Sequence, residues 1–245
     1  MSTKTHLAGA YRRARLNIAS QTTASDDIET YTYAAGDVLL GQEGWALSSM
    51  HESASGATSL RAAGRWDHPL HRGSWHRIAM EWCELTWSTG GLTTHATFTL
   101  NGPFDAPTVA VASEGRTTRH AIPPGTLLVP ELHACFGPMI ETMVRTTVDT
   151  GLATTVALPG WKDGAGGNAG FDLVQLSAQR LGREVLETPD GAMRADEYTI
   201  SAATDALPLR WTNHSKWFVG GDGLLAGYTD GDAIVWRAAS APSRA

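Results

Sequence analysis

The segment SKWFVGGDGLLAGYTDGDAIVWRA, residues 215–238, decides the fold class. It contains three runs of β-prone residues, Ser215–Val219, Leu224–Thr229 and Ala233–Ala238, separated by the turns Gly220-Gly221-Asp222-Gly223 and Asp230-Gly231. Asp-Gly between such runs is a strong hairpin signal, because both central positions of a type I′ turn need positive φ. The segment predicts an antiparallel meander, and sheets of this kind close into barrels or sandwiches whose interior can hold a small molecule.

Strand patterns continue over most of the chain before this meander. We predict strands at Glu29–Tyr33, Val38–Ser48, Thr58–Ala63, His76–Trp87, Leu92–Leu100, Thr108–Ser113, Thr117–Ile122, Ala153–Leu158, Phe171–Arg180, Glu184–Thr188, Met193–Ser201 and Leu209–Asn213. One helix is predicted over Pro130–Val144, with Gly137-Pro138 bending or splitting it. Residues 1–28 are polar and predict a loosely held arm or a short helix. The prediction is therefore a single all-β domain over residues 29–245, an antiparallel barrel or strongly curved sandwich with one short central helix.

Charge and composition limit the classes of partner. The 245 residues include 19 basic and 25 acidic side chains, for a formal charge of −6, and nine tryptophans. A nucleic-acid surface needs a concentrated positive field, so nucleic acid is not an expected partner. Most of the tryptophans fit strand packing. We expect two or three of them to line a cavity for an apolar or aromatic ligand.

The sequence favours a cytoplasmic location. Cys83 and Cys135 do not make a disulfide framework in a chain of this size, which favours a reducing compartment. Arg12-Arg13 is followed by residues 14–27 without the apolar region of a signal peptide, so export is not expected. No apolar run approaches the length of a membrane span, so no membrane association is expected either. The sequence leaves a homo-oligomer open.

The C-terminal half resembles a known family. The residues that carry the resemblance are Glu187-Thr188-Pro189-Asp190-Gly191, the strand Met193–Ser201, and Trp217, Gly221-Asp222-Gly223-Leu224 and Tyr228. This pattern resembles a bacterial family of unknown function with a lipocalin-like fold, whose members are rich in strands and have a short helical segment near the middle. Residues 127–147 stand where that helix would be. The resemblance implies a lipocalin-like barrel with a cavity, and it implies no catalytic residue.

The hairpin formed by His76–Trp87 and Leu92–Leu100 predicts a catalytic pair. If Ser88 pairs with Gly91, Glu84 lies opposite His95, and the two side chains share one face of the sheet. A carboxylate facing an imidazole orients it and raises its pKa, which suits a general base. We predict His95 as the base, Glu84 as its orienting carboxylate and His76 as a second acid–base group. The competing interpretation is an exposed cross-strand pair of small energetic effect.

The same face predicts a ligand-binding surface. It mixes large apolar side chains with hydroxyl groups, as the interior of a ligand-binding barrel does, and its members include Met80, Trp82 and Thr97. The opposite face, with Cys83, Leu85, Ala96 and Phe98, is more uniformly apolar and predicts packing core. Trp66 and Trp75 flank a histidine-rich loop, which is interpreted first as a loop that simply contains histidines. In the functional alternative this loop is a lid over the cavity, and Trp66 and Trp75 contact the ligand.

Two further patterns are weighed for a metal or a cofactor. His68, His71 and His76 are reserve ligands for a divalent ion, but their spacing matches no established ligand pattern, so no metal is predicted. The glycine-rich stretch Gly160–Gly170 lacks the surrounding βαβ unit of a dinucleotide site, so no cofactor is predicted. His133 and Cys135 stand two apart on the predicted helix and do not share a face, so we interpret Cys135, like Cys83, as packing.

Two functions are compatible with these patterns. The favoured one is a cofactor-independent acid–base enzyme of lyase, isomerase, cyclase or hydrolase type, acting on a small apolar molecule, aromatic or polycyclic, held in the cavity. The alternative is a non-catalytic lipocalin-like carrier of such a molecule. A pure carrier has little use for a histidine and a carboxylate placed together, and this favours the enzyme.

Overall fold

The computed structural model describes residues 5–16, 22–39, 42–53, 56–66, 78–89, 91–102, 105–161, 168–202, 215–230 and 233–238. They form fifteen strands and one helix. The elements, in chain order, are β1 (Thr5–Leu16), β2 (Thr22–Leu39), β3 (Gln42–Ser53), β4 (Gly56–Trp66), β5 (Ile78–Thr89), β6 (Leu92–Asn101), β7 (Thr108–Ser113), β8 (Arg116–Ala121), β9 (Leu127–Leu128), α1 (His133–Thr150), β10 (Thr154–Trp161), β11 (Ala169–Thr188), β12 (Gly191–Ala202), β13 (Lys216–Val219), β14 (Leu225–Asp230) and β15 (Ala233–Ala238).

All fifteen strands belong to one sheet. Its order is β8-β7-β6-β5-β4-β3-β2-β1-β15-β14-β13-β12-β11-β10-β9, so two meanders meet at the β1–β15 pair in the middle. Neighbouring strands are antiparallel except β9 and β10, which are parallel. The predicted terminal meander is confirmed as β13, β14 and β15.

The sheet is rolled so that its two ends overlap. A flat sheet of fifteen strands would hold its edge strands about 65 Å apart. The chain passes from edge strand β8 to edge strand β9 through residues 122–126, which can span only about 20 Å. Accordingly, β9 lies against β5 and β11 lies against β7. The described edges are not hydrogen-bonded to each other, so the architecture is a strongly curved sandwich, and the predicted all-β class with one helix is confirmed.

The helix fills the space that the curved sheet encloses. Phe136, Ile140 and Met143 of α1 are buried in one cluster with strand residues such as Phe98 and Leu176. On β5 and β6 the buried positions are Cys83, Leu85, Ala96 and Phe98, which is the face predicted as packing core. In the described part of the interior, helix side chains therefore pack against the inner face of the sheet.

The turn between β13 and β14 is built around Asp222. The Leu224 N–H donates to Asp222 Oδ1 at 3.2 Å, and Arg237 Nη1 donates to Asp222 Oδ2 at 2.8 Å. Gly223 has φ 77°, a left-handed conformation that favours glycine. The predicted glycine turn is thus held by an aspartate that ties it to β15.

Several predicted boundaries differ from the structure. Residues 5–16 form β1 at the centre of the sheet, so the expectation of a polar arm over residues 1–28 is wrong. Gly36-Asp37, between the strands predicted at Glu29–Tyr33 and Val38–Ser48, is expected from its sequence to form a turn. This expectation is wrong, because it is an irregularity within β2, where the pairing with β3 shifts register between Ala35 and Asp37 and then continues. The two strands predicted at 171–188 are one strand, β11, with a register shift between Arg180 and Gly182. The strand predicted at Leu209–Asn213 lies outside the described residues.

Candidate functional site

Among the described residues, a buried glutamate is hydrogen-bonded to a partly exposed histidine. Glu29 lies on β2 with 1% of its surface exposed, and His133 is the first residue of α1. Glu29 Oε2 lies 2.9 Å from His133 Nδ1 and also accepts the His133 backbone N–H at 2.9 Å. Burying a carboxylate is costly unless it is hydrogen-bonded or paired, and both conditions hold here.

The N-terminus of α1 explains the position of the Glu29 carboxylate, because the N–H groups there need a hydrogen-bond acceptor. The residue before the first turn is Leu132, which has no side-chain cap, and the first turn contains no acidic residue. The first N–H groups of a helix need acceptors, and their partial positive charge stabilises an anion. Glu29 supplies that acceptor and charge from another element, 104 positions away along the chain.

The other ring nitrogen of His133 faces a tyrosine. Nε2 lies 3.3 Å from the hydroxyl of Tyr228 on β14, and the two rings stack with centroids 5.7 Å apart. Tyr11 lies 5.4 Å from the imidazole, and Phe136 lies 5.8 Å from it, both measured between ring centroids. The side chain of His133 keeps 19% of its surface exposed. The imidazole is therefore oriented at both nitrogens, surrounded by aromatic rings, and still reachable.

Further polar groups lie near Glu29, His133 and Tyr228. The hydroxyl of Tyr11 donates to the Leu225 carbonyl at 2.9 Å, and burial raises the pKa of Tyr11 well above its usual value. Burial also raises the pKa of Tyr31, so both phenols stay protonated near neutral pH. Burial is the largest single effect on Arg237 and lowers its pKa, but the hydrogen bond to Asp222 and the electrostatic interactions with Tyr11, Asp222 and Tyr31 together raise the pKa of the guanidinium. The site thus combines one buried carboxylate with neutral phenols and a fixed cation.

The arrangement is suited to proton transfer. A carboxylate that accepts a hydrogen bond from the Nδ1–H group fixes the tautomer and leaves Nε2 with a lone pair. Nε2 can then take a proton through the Tyr228 hydroxyl or from a group that replaces it. The residues bring together a base, its orienting carboxylate and a hydroxyl relay.

The predicted pair Glu84 and His95 is in contact, although in a different register. Thr89 pairs with Leu92, so Glu84 lies opposite Thr97 and Thr86 lies opposite His95. Glu84 Oε1 and His95 Nε2 are nevertheless 3.1 Å apart across the diagonal. Their side chains are 29% and 53% exposed, on the face opposite the buried Cys83, Leu85, Ala96 and Phe98. The expectation that this face lines the interior is wrong, and the catalytic roles of the pair stay predictions.

The other predicted ligand-binding residues are only partly described. Trp82 and Thr97 are half-buried on the same outer face as Glu84. Met80 lies in β5 and Trp66 in β4, but their side chains are outside the described set. Trp75, His68, His71 and His76 lie outside the described residues. Within the described part of the chain, no group of three or more potential ligands could hold a metal ion.

The two cysteines are buried free thiols. Cys83 and Cys135 lie in the core, and burial raises the pKa of each thiol well above its usual value. The second cause for Cys135 is the negative charge of nearby Glu29. Both effects disfavour the thiolate, so neither cysteine is suited to act as a nucleophile.

An open cleft lies away from these groups, where β7 and β8 overlap the start of β11. Its volume is about 660 Å³. Val111 and Phe171 supply apolar wall, and Arg116, Thr118 and His120 line it from alternate positions of β8. The His120 ring meets Phe171 edge to face at 5.4 Å, and His120 Nε2 lies 3.0 Å from the Thr118 hydroxyl. Gly164, Gly166 and Gly167 of the glycine-rich stretch lie outside the described residues.

Part of the missed site had a signal in the sequence. The alternation Glu29-Thr30-Tyr31-Thr32-Tyr33 places Glu29 on the face of two tyrosines, and such a face is expected to be buried. Pro130 places His133 in the first turn of the predicted helix. The contact between them depends on how α1 sits inside the sheet, and no local pattern encodes that.

Within the part of the chain that the structure describes, no helix meets the length and hydropathy that a membrane crossing requires.

Comparison with known proteins gives one structural likeness. No family model matches the chain, and no curated protein matches it. A solved structure, the β-barrel-like protein of domain of unknown function DUF1849 from Brucella abortus, is similar with a TM-score of 0.48 and 10% sequence identity. The match covers 95% of this chain and 94% of the other.

Proposed function

We propose that the chain is a cofactor-independent acid–base enzyme acting on a small, largely apolar, aromatic or polycyclic molecule. The observation that carries this proposal is the buried Glu29 carboxylate bonded to Nδ1 of a partly exposed His133. In this proposal His133 is the general base, Glu29 orients it, and Tyr228 relays the proton. The aromatic rings around the imidazole favour an apolar substrate, because they offer it flat apolar surface and few hydrogen bonds.

The test uses a substrate whose reaction is accelerated by any accessible base in apolar surroundings. Ring opening of 5-nitrobenzisoxazole requires removal of one proton from carbon and breaks the N–O bond, giving a coloured phenolate. We expect His133→Gln to lower the rate by roughly 10²–10⁴, the usual contribution of a positioned base. Glu29→Gln should cost less, because the base remains. Hydrolysis of p-nitrophenyl acetate, followed in the same variants, extends the test to acyl transfer.

His95→Gln is the matched control, because it removes the histidine of the Glu84–His95 pair. If His133 carries the chemistry, His95→Gln keeps full activity. If His95→Gln loses activity while His133→Gln remains active, the assignment of His133 as the base is wrong. The acid–base chemistry would then belong to Glu84, His95 and His76. Rates of the unmodified protein no faster than those of free imidazole would overturn the enzyme itself.

A second candidate is non-catalytic, lipocalin-like binding of a small apolar molecule, and the cleft of about 660 Å³ favours it. Trp161 pairs with Ala169, one of the residues that line the cleft, and is therefore chosen as the fluorescent reporter in place of the outward-facing Trp82. Quenching of Trp161 by neutral aromatic probes, lost in Phe171→Ala and without turnover, is the result that would favour the carrier. For both candidate functions the proposed location is the cytoplasm, and the two free thiols support it.

A further inference from the structure

β8 ends the sheet on one side. It pairs with β7, and no other described strand pairs with it. All six of its residues, Arg116–Ala121, are exposed. The strand contains no proline, and its threonines favour extended structure. An edge of this kind is a template for another strand.

The β7–β8 turn shows which backbone groups of β8 face the open side. Ser113 pairs with Arg116 across the two residues Glu114 and Gly115, whose φ angles are 51° and 74°, as a type I′ turn requires. The pair that closes such a turn is hydrogen-bonded, and bonded pairs then recur at every second residue. The Ile122 N–H, which donates to the Pro107 carbonyl at 3.1 Å, continues that alternation.

The residues between the bonded pairs therefore point their backbone groups outward. Thr117, Arg119 and Ala121 present their N–H and C=O groups to the open edge. An extended chain laid against β8 would pair with these groups and leave the β7–β8 ladder intact.

The positive charge of β8 favours an incoming strand of opposite charge. Arg116, Arg119 and His120 stand in six residues without an acidic side chain. A second copy of β8, paired antiparallel about Arg119, would place two arginines directly opposite each other, which is destabilising. An incoming strand with an acidic residue opposite Arg119 has the complementary charge.

The cleft supplies side-chain contacts to the same strand. Arg116, Thr118 and His120 line it from one face of β8, and Val111 and Phe171 add apolar wall. Its two acidic residues, Glu114 and Asp172, lie outside β8, and Arg119 is not among the lining residues, so an acidic side chain placed opposite Arg119 does not have to enter the cleft. Alternate side chains of an added strand would point to that face, and an apolar one among them would reach the wall formed by Phe171. We propose that β8 and this cleft bind an extended acidic segment of a partner protein, which adds to the sheet beyond β8.

The inference does not depend on the proposed function, since it uses none of the residues around His133. The probe is a fluorescein-labelled peptide of eight residues that alternates glutamate with valine and phenylalanine, and its binding is followed by fluorescence anisotropy. One comparison peptide has lysine in place of glutamate. Another keeps the glutamates but carries N-methyl groups along one edge, which blocks strand pairing without changing charge.

The protein variants separate strand pairing from general attraction. Thr117→Pro removes an outward N–H and should leave the β7–β8 pairing intact, because proline is tolerated on the open side of an edge strand. Arg119→Glu reverses the complementary charge, and Arg12→Glu makes the same change at an exposed position in the middle of the sheet. Circular dichroism and thermal unfolding verify that each variant is folded.

We expect the acidic peptide to bind, and Thr117→Pro and Arg119→Glu each to weaken it by about tenfold or more. Arg12→Glu should leave the affinity unchanged, and the lysine and N-methyl peptides should bind at least about tenfold more weakly. Equal binding of the N-methyl peptide, or undiminished binding by folded Thr117→Pro, would overturn the inference. Failure of the acidic peptide to bind at about 1 mM would overturn it as well.

Discussion

Glu114 has a backbone conformation that its side chain disfavours. Its φ of 51° makes it the one described non-glycine residue with positive φ, and it occupies the first central position of the β7–β8 turn. Asparagine tolerates this region better than glutamate, and Asn-Gly is the preferred type I′ pair. We therefore expect Glu114→Asn to stabilise the protein by about 0.5–1 kcal/mol in urea unfolding.

Glu114→Ala is the control for charge. It removes the carboxylate but keeps an ordinary Cβ at positive φ, so it should give no comparable gain. Equal stabilisation by both substitutions would mean that charge, and not backbone conformation, is responsible.

The alternation of side chains along a strand predicts the position of some residues correctly and of others not. It placed Glu84 and His95 on one face, and that result survives the shift of register from the expected pairing, because the shift is by two residues and the side-chain period is two. It also identified Cys83, Leu85, Ala96 and Phe98 as core. It could not identify Glu29 and His133 as partners, because the sheet and the helix meet only in the folded chain.

The helix lies close to the backbone of the β13–β14 turn at Gly137. A Cβ there would lie 2.5 Å from the Gly223 carbonyl oxygen, 2.5 Å from the Leu225 nitrogen and 2.7 Å from the Leu224 carbonyl carbon. All three atoms belong to the backbone, so the added methyl group has no flexible side chain to displace. Gly137→Ala should destabilise the protein by about 1–3 kcal/mol despite the higher helix propensity of alanine.

Gly160→Ala is the matched control in a strand, since a Cβ at that position meets nothing within 4 Å. Thermal unfolding of the two variants compares them directly. An unchanged melting temperature for Gly137→Ala would show that the helix can move away from the β13–β14 turn without cost.

The helix also shows what an element-level pattern can predict. Apolar spacing predicts its position, but the expectation that Gly137-Pro138 splits it is wrong, because α1 runs through Pro138 from His133 to Thr150. Pro138 is the sixth residue of α1, so the helix continues past it at the cost of one hydrogen bond, the one that an N–H at this position would donate to the Ala134 carbonyl. The glycine is explained by the approach of β14, a contact between distant parts of the chain that helical spacing does not reveal.

The whole sheet depends on β1. This strand pairs with β2 on one side and β15 on the other, and Tyr11 and Ala14 are each 1% exposed. Deleting residues 1–16 would divide the sheet at its centre and expose the edges of β2 and β15. We expect the shortened chain to lose cooperative thermal unfolding and near-ultraviolet circular dichroism.

Deletion of residues 1–4 alone is the control, because it leaves β1 complete. Retention of a cooperative transition after removal of residues 1–16 would contradict the central role of β1. The polar composition of this segment concealed that role: Arg12, Arg13 and Arg15 alternate irregularly with small residues, and the strand is specified mainly by the neighbours on which it packs.

The pairing of Ala10 with Ala238 has a consequence during synthesis. A ribosome produces β1 first and β15 only after residues 17–232, which takes about 10–45 s at usual elongation rates. Until then one edge of β1 has no neighbour, and the first meander is an open template for strands of other nascent chains. The final pairing is also very distant along the chain, so it closes slowly. Newly made copies should therefore be clients of chaperones that shield exposed strands, and the protein acquires its native sheet only after β15 has left the ribosome.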